Sequence, residues 1–480
     1  MDNLKKQYSK LDIFIKNPKK SLWKMTVPFL LGLTVQSLYM LIDTMFVGKF
    51  LFREGLNAYE LEQLSQSALD AMGVIFPLMF IIMGLTFGLG SGTTTLIAQF
   101  IGSKDKKSAD SVASHTVLIG FILPIIIIAI VLLLGESIIS LQLRQNNNIQ
   151  TLDYANQYFN IMAFGSVFMI FAIFFRSILS GEGETILPMR ILGMGTLINI
   201  VLDPILIIWL RLEVMGAAIA TVISNGLVAL TFMYLLIVKQ KSYIKINLRK
   251  PIFKFDFNII KKLFRLGIPA SLSFAIMSIG MFANNSILSL ADQTSSTLTS
   301  MGDGGVIGGY QTASRLENLF MIPIIAISSS LVTMVGMFYG SKKTKLIKLI
   351  IWYGLKWGLI LSIISTILFV VFSKSILTIF TNDSKTILEG VKYFNICAFT
   401  YPFVTIGMIT CRAMQGMDRP TPFLFLTMLR VILIAVPMAW IGVKYFEQGT
   451  VWVWWSVLAS SIIAAIAGIL WMLKVIKEID

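Results

Sequence analysis

Pro28-Phe-Leu-Leu-Gly-Leu-Thr-Val-Gln-Ser-Leu-Tyr-Met-Leu-Ile-Asp43-Thr-Met-Phe-Val-Gly48 is an apolar run with one carboxylate inside it. About 20 such residues cross a hydrocarbon core of about 30 Å as a helix. A similar stretch recurs far downstream: Pro269-Ala-Ser-Leu-Ser leads to Gly280-Met-Phe-Ala-Asn284. Counted from either proline, the polar residue lies fifteen positions on. One copy of a repeated membrane segment therefore carries an acid where the other carries an amide. A charge at membrane depth costs on the order of 3 kcal/mol by insertion scales, so a chain that keeps one uses it for ions, protons or substrate.

The composition of the whole chain fits a membrane protein. Hydrophobic residues make up 56% of the 480 and charged residues only 14%, against about 25% charged in a soluble globule; the mean hydropathy is +0.79. Apolar stretches near 24–48, 66–98, 112–135, 155–179, 190–210 and 214–238 give six expected crossings in the first half. Those near 264–290, 305–338, 347–372, 391–414, 421–443 and 451–473 give six in the second. The chain reads as an all-α polytopic membrane protein, because only helices and closed barrels satisfy their backbone groups in lipid. The 66–98 and 305–338 stretches exceed one crossing and contain several glycines, which predicts tilt or an extended portion there.

The formal net charge of +15 does not point to nucleic acid. With both termini in the cytoplasm, roughly 29 of the 40 Lys and Arg fall on the inner side and about 8 on the outer. The first 20 residues are Lys-rich with no apolar core before Ser21, so the first crossing is expected to direct insertion. Cys397 and Cys411 lie fourteen residues apart on one expected helix, about 21 Å, beyond disulfide reach.

The basic connection after Val238 divides the chain into an N-terminal six-helix lobe (1–238), a cytoplasmic linker (239–263) and a C-terminal six-helix lobe (264–480). Landmarks recur in order: Pro28 and Pro269; Phe100-Ile-Gly102-Ser-Lys104 and Phe338-Tyr-Gly340-Ser-Lys342; Arg176 before a glycine turn and Arg412-Ala-Met-Gln-Gly416; Asp203-Pro204 and Val436-Pro437. Six crossings per unit give the two repeats the same orientation, an arrangement suited to alternating access.

Further polar residues lie at membrane depth. Asn199 and Asp203 are spaced i, i+4 and project from one helix face, whereas the aligned second-half positions are Ile432 and Val436. Counting helical rise from either membrane edge puts Asp43, Asp203 and Thr221 at a common depth. Two carboxylates, an amide and a hydroxyl can cage a small hard cation such as Na⁺, or two close carboxylates can share a proton. Pro204 removes a backbone hydrogen bond and can bend the fifth helix beside the acid; Pro28 can do the same in the first. Asn284, Arg315 and Glu317 line a cleft or form structural contacts. His115 reads as structural. No nucleophile and base pair, phosphate-binding glycine loop or metal-ligand cluster appears, so a catalytic role is not expected.

Together these residues resemble the multidrug and toxic compound extrusion family, MATE, over nearly the full length. The resemblance rests on Asp43-Thr-Met-Phe-Val-Gly48, the Gly102-Ser-Lys104 and Gly181-Glu-Gly183 turns, Asn199…Asp203-Pro204 and Ala313-Ser-Arg315-Leu-Glu317-Asn…Pro323. It implies two six-helix lobes in a V shape in the cell membrane of a prokaryote. It also implies export of cationic or amphipathic small molecules in exchange for Na⁺ or H⁺, with no cofactor. By position it carries the family's N-lobe cation site onto Asp43, Asn199, Asp203 and Thr221. The seventh crossing has no acid where the NorM-type branch places a glutamate, so the chain resembles the DinF- or MepA-like branches more. A lipid or lipid-linked oligosaccharide flippase of the same superfamily is the alternative, and a channel or non-transporting receptor a further one. Oligomeric state and natural cargo are not legible.

Overall fold

A computed structural model describes residues 11–49, 57–142, 149–247, 255–295, 305–380, 384–446 and 449–479, with some helical side chains excepted. Twelve long helical elements occur among them. The first six are α1 (Pro18–Lys49), α2 (Ala58–Gly102), α3 (Lys106–Gln142), α4 (Ile149–Gly181), α5 (Ile186–Trp209) and α6 (Glu213–Val238). The others are α7 (Phe257–Ser295), α8 (Gly305–Gly340), α9 (Thr344–Phe380), α10 (Ser384–Gly416), α11 (Thr421–Tyr445) and α12 (Gly449–Glu478). No strand occurs among the described residues. Eleven of the twelve contain stretches long and apolar enough to cross a membrane; the other, α1, has central side chains that lie outside the described set.

The two longest apolar stretches contain no extended portion. α2 runs unbroken for 45 residues and α8 for 36, because backbone hydrogen bonding continues past the point where the side chains turn polar. At 1.5 Å per residue α2 is about 67 Å long. It starts at a capping box: Asn57 Oδ1 accepts from the Glu60 N–H at 2.9 Å, and Glu60 Oε2 accepts from the Asn57 N–H at 2.8 Å, which satisfies two orphan donors at once.

The chain divides into two compact units. One holds Val27–Gly267 and the other Asp12–Thr26 with Ile268–Asp480. The boundaries fall at Val27 and Ile268, each one residue before a matched proline, so the break itself obeys the repeat. Helix ends obey it too. After α2, Lys104 N–H bonds to Ile101 O (3.1 Å) and Asp105 N–H to Phe100 O (2.8 Å); after α8, Lys342 bonds to Tyr339 (3.0 Å) and Lys343 to Phe338 (2.9 Å). After α4, Gly183 bonds to Ser180 (2.9 Å) and Glu184 to Leu179 (2.9 Å); after α10, Asp418 bonds to Gln415 (3.1 Å) and Arg419 to Met414 (2.9 Å). All four are the same helix stop, in which the residue with positive φ (63°, 56°, 76° and 65°) turns the chain while the carbonyls stay bonded. The turns pair Gly183 with Asp418. That register sets Cys411, not Arg412, opposite Arg176, one residue away from the match suggested by sequence.

Glycines let these helices meet. A Cβ on Gly181 would stand 2.7 Å from Ile97 Cγ2 and 3.0 Å from Thr94 O; one on Gly416 would stand 2.9 Å from Val335 Cγ1 and 3.1 Å from Val332 O. α4 thus rests on α2 as α10 rests on α8.

The connection after α6 is fastened to the first unit by its backbone N–H groups. Ile244 N–H bonds to Glu182 Oε1 (3.0 Å), Lys245 N–H to Asp110 Oδ1 (2.9 Å), Asn247 N–H to Ser114 Oγ (3.0 Å) and Asp256 N–H to His115 Nε2 (3.1 Å). His115 Nδ1 lies 2.8 Å from Ser111 O, which makes Nδ1 the donor and leaves Nε2 to accept. α7 begins inside the stretch read as linker, because Asp256 Oδ1 accepts from the N–H groups of Asn258 (3.0 Å) and Ile259 (3.4 Å) as a helix N-cap does. At the start of α3, the Ser108 hydroxyl, 2.6 Å from Asp105 Oδ2, holds the Asp105 carboxyl below the usual range. That contribution is present above the carboxyl's unfolded pKa and is lost as pH falls through the lowered one.

Gly416→Ala and Gly181→Ala should each destabilise their unit by about 1–3 kcal/mol, the cost of overpacking. Gly193→Ala, where nothing lies within 4 Å, should be neutral or stabilising by up to about 1 kcal/mol. Thermal unfolding of the purified variants in detergent checks the order.

Candidate functional site

α5 turns one face inward. Its buried positions up to Pro204 are Pro188, Ile191, Gly195, Thr196, Asn199 and Asp203, recurring mostly at steps of three and four as a helical stripe does. Opposite, α6 buries a run of small residues that includes Gly216, Ala217, Ala218, Ala220, Thr221 and Ser224. A Cβ on Gly216 would come within 2.9 Å of the Leu206 carbonyl, so this glycine permits α6 to approach the α5 backbone one turn beyond Asp203.

Asp203 is fully buried, and Asn199 and Thr221 are only 2% and 7% exposed. Asn199 Nδ2 donates to Asp203 Oδ1 at 3.2 Å. Asn199 also lines a cavity of about 40 Å³ with Gln36, Leu192, Gly195, Thr196, Thr221, Ser224, Asn225 and Val228. The Oδ1 of Asn199 and the Oγ of Ser224 are buried without a hydrogen-bond partner. Buried oxygens left unmet beside a polar cavity are rare in folded proteins and require an explanation such as water or an ion.

Size decides what the cavity can hold. One water occupies about 30 Å³ of liquid, whereas drug-sized ligands fill clefts of about 300–1,000 Å³. The cavity therefore suits an ion or a water, not an organic cargo. Its oxygens, amide and hydroxyl beside a carboxylate, are hard donors of the kind that bind hard cations. Among the described residues no three His, Cys, Asp or Glu gather as they would for a multi-ligand metal centre.

Of the residues singled out in the sequence, Asn199, Asp203 and Thr221 come together. Asp43 lies on α1, which also supplies Gln36, but its side chain falls outside the described residues. Gln36, Thr196, Ser224 and Asn225 were not singled out. Thr196 precedes Asn199 by three residues and Ser224 follows Thr221 by three, so helical spacing from the chosen residues would have found both. Pro204 ends the regular part of α5, and Ile205–Trp209 forms a wider π turn; in α11 a π turn, Leu429–Ala435, leads into Pro437. Proline removes a hydrogen bond from the helix, and the wide turn lies next to it in both units. α1 passes through Pro28 without interruption.

The second unit is not simply apolar. Glu317 on α8 accepts a hydrogen bond from the Tyr393 hydroxyl. Trp454 stacks on Tyr310 (centroids 5.4 Å apart) and meets the Tyr393 ring edge-on at 4.8 Å. Asn284 Oδ1 and Asn285 Oδ1 on α7 are buried without partners. The Arg315 side chain falls outside the described residues.

A repeated helical membrane fold with an ion-sized polar cavity inside one unit has the architecture of a membrane transporter. The chain belongs to the MatE family, whose model matches twice, at residues 28–205 and 269–441. It is 25% identical to the probable multidrug resistance protein YoeA of Bacillus subtilis, over 92% of this chain and 91% of that one. It is 24% identical to the probable multidrug resistance protein NorM of Thermotoga maritima, over 95% and 92%. Among solved structures it resembles the outward-facing conformation of a multidrug resistance MATE family transporter of the MOP superfamily, with a TM-score of 0.85 at 29% identity over 96% of each chain.

Ser224→Ala removes a buried hydroxyl that has no bond to lose, so thermal unfolding should show a change within about 0.5 kcal/mol or a small gain. Asn199→Ala breaks the bond to Asp203 and should destabilise by about 1–3 kcal/mol.

Proposed function

We propose that this transporter exports organic cations or amphipathic drugs from the cell in exchange for Na⁺ or H⁺ entering through the first unit. The observation that carries this reading is the Asn199–Asp203 pair beside a polar cavity too small for anything but an ion or water. The multidrug resistance relatives support the cargo class, and the basic turns at Lys104 and Lys342 support a plasma-membrane topology with both termini cytoplasmic.

Asp203 is the group that would exchange cation for proton, with Asn199, Thr221 and Ser224 supplying neutral oxygens. Asp43 is the second carboxylate. It lies two turns beyond Gln36 on α1, and positions seven apart share a helix face. Cation binding from outside would draw α1, α5 and α6 together around the cavity. Loss of the cation to the cytoplasm would free the carboxylates and relax that packing. Cargo is held elsewhere, and exchange follows if the two packings differ in affinity for it, since a ligand shifts an equilibrium only by its differential affinity.

Reconstituted vesicles loaded with a cationic dye, under separately imposed Na⁺ and pH gradients, test the proposal. At least one gradient should drive dye movement, and Asp203→Asn and Asp43→Asn should each reduce the driven rate at least about tenfold, an effect of about 1.4 kcal/mol on the coupled step, while still inserting normally. Dye movement indifferent to both gradients, or wild-type rates in both variants, would refute it.

A further inference from the structure

Arg176, near the end of α4, is a largely buried cation that the ion site does not use. Its guanidinium carbon lies 5.5 Å from the Phe29 ring and 5.2 Å from the Phe87 ring. Those are its contacts: among the described residues no carboxylate stands within 4 Å of it and no acceptor takes its N–H groups. A guanidinium stays charged and carries five donors in its plane. Aromatic faces offset only part of the cost of taking such a charge out of water. Arg412 in the second unit differs, because it lies 5.0 Å from the Phe423 ring and also donates to Gln415 Oε1 at 3.0 Å.

The Arg176 side chain lines a pocket of about 10 Å³, open on one side, together with Pro28, Phe29, Gly32, Thr185, Pro188 and Met189. That volume admits one oxygen-sized group. Thr185, 5% exposed, precedes the first residue of α5, yet its hydroxyl makes no capping bond. The first α5 N–H groups, those of Ile186 and Leu187, are taken instead by Glu184 Oε1 at 3.1 and 3.3 Å. The helix end is therefore already served, and the Thr185 hydroxyl remains for whatever enters the pocket.

We propose that Arg176 and Thr185 form a binding site for a phosphate oxygen, supplied by a phospholipid headgroup or by a free phosphate. A guanidinium and a hydroxyl lining one small pocket are donors of the kind that hold an anionic phosphate oxygen. The one-oxygen pocket with an open side takes the anionic oxygen while the rest of the group stays outside. Because Phe29 lies beside Pro28 on α1, occupancy bears directly on how that helix is held, at a place separate from the Asn199–Asp203 cavity.

The test uses the full-length protein, delipidated in a nonionic detergent. Thermal unfolding is followed against inorganic phosphate, with chloride at equal ionic strength as the comparison, and retention of phosphatidylglycerol against diacylglycerol is read by native mass spectrometry. One of the two phosphate sources should bind saturably. Phosphatidylglycerol alone assigns the ligand to the bilayer, and inorganic phosphate alone assigns it to the aqueous phase. Binding should weaken at least about tenfold in Arg176→Gln, weaken measurably in Arg176→Lys and Thr185→Ala, and persist in Arg412→Gln. If Arg176→Gln does not fold, Arg176→Lys and the wild-type titrations still decide. No saturable binding of either source to the wild type, an equal effect of chloride, or undiminished binding by the Arg176 variants would overturn the proposal.

Discussion

Hydrocarbon offers a polypeptide no hydrogen-bond partner, so each backbone group within it must be satisfied by the chain itself. This constraint accounts for the long unbroken helices. It also accounts for the four identical stops after α2, α4, α8 and α10, where the last carbonyls are bonded before the chain turns. Irregularity is kept local. Where Pro204 and Pro437 remove a donor, the adjoining turn widens, and the helix resumes or ends without an extended segment.

The same constraint gives meaning to polar side chains. Glycine contacts of the kind seen at Gly181 and Gly416 bring backbones together, and Gly216 does so between α6 and α5 beside the acid. Where Thr196, Asn199, Thr221 and Ser224 stand in place of larger apolar side chains, the close packing leaves a small polar cavity. The site is thus a gap in helix packing lined with oxygens, and Asp203 is held beside it by the amide of Asn199. In the second unit the positions matched by sequence are Ile432 and Val436, and an acid, Glu317, stands on α8 with the Tyr393 hydroxyl donating to it. Similar scaffolds have therefore been given different polar interiors.

Much of this was legible in the sequence because hydropathy and helical period are strong signals over twenty residues. The twelve helices, the repeat and the i, i+4 relation of Asn199 to Asp203 all follow from them. Helix length was less legible: α2 and α8 extend as helices where hydropathy falls, since capping and hydrogen bonding, not apolarity, decide where a helix stops. The Arg176 register was off by one residue because a glycine near an arginine is a loose landmark, whereas the turn geometry after Gly183 and Asp418 is strict. Gln36, Thr196, Ser224 and Asn225 were hidden by their type, since hydroxyls and amides are frequent at ordinary helix contacts. Only their convergence on one cavity distinguishes them.

The central claim is that Asp203 exchanges a proton and a cation at the α5–α6 cavity. Difference infrared spectroscopy of the purified protein in neutral lipid nanodiscs tests it most directly. On stepping the pH or adding Na⁺, the wild type should show a protonated-carboxyl band that is lost as the carboxylate forms, and Asp203→Asn should lack that change. A carboxyl spectrum unmoved by either ion, or the same change in Asp203→Asn, would contradict the account.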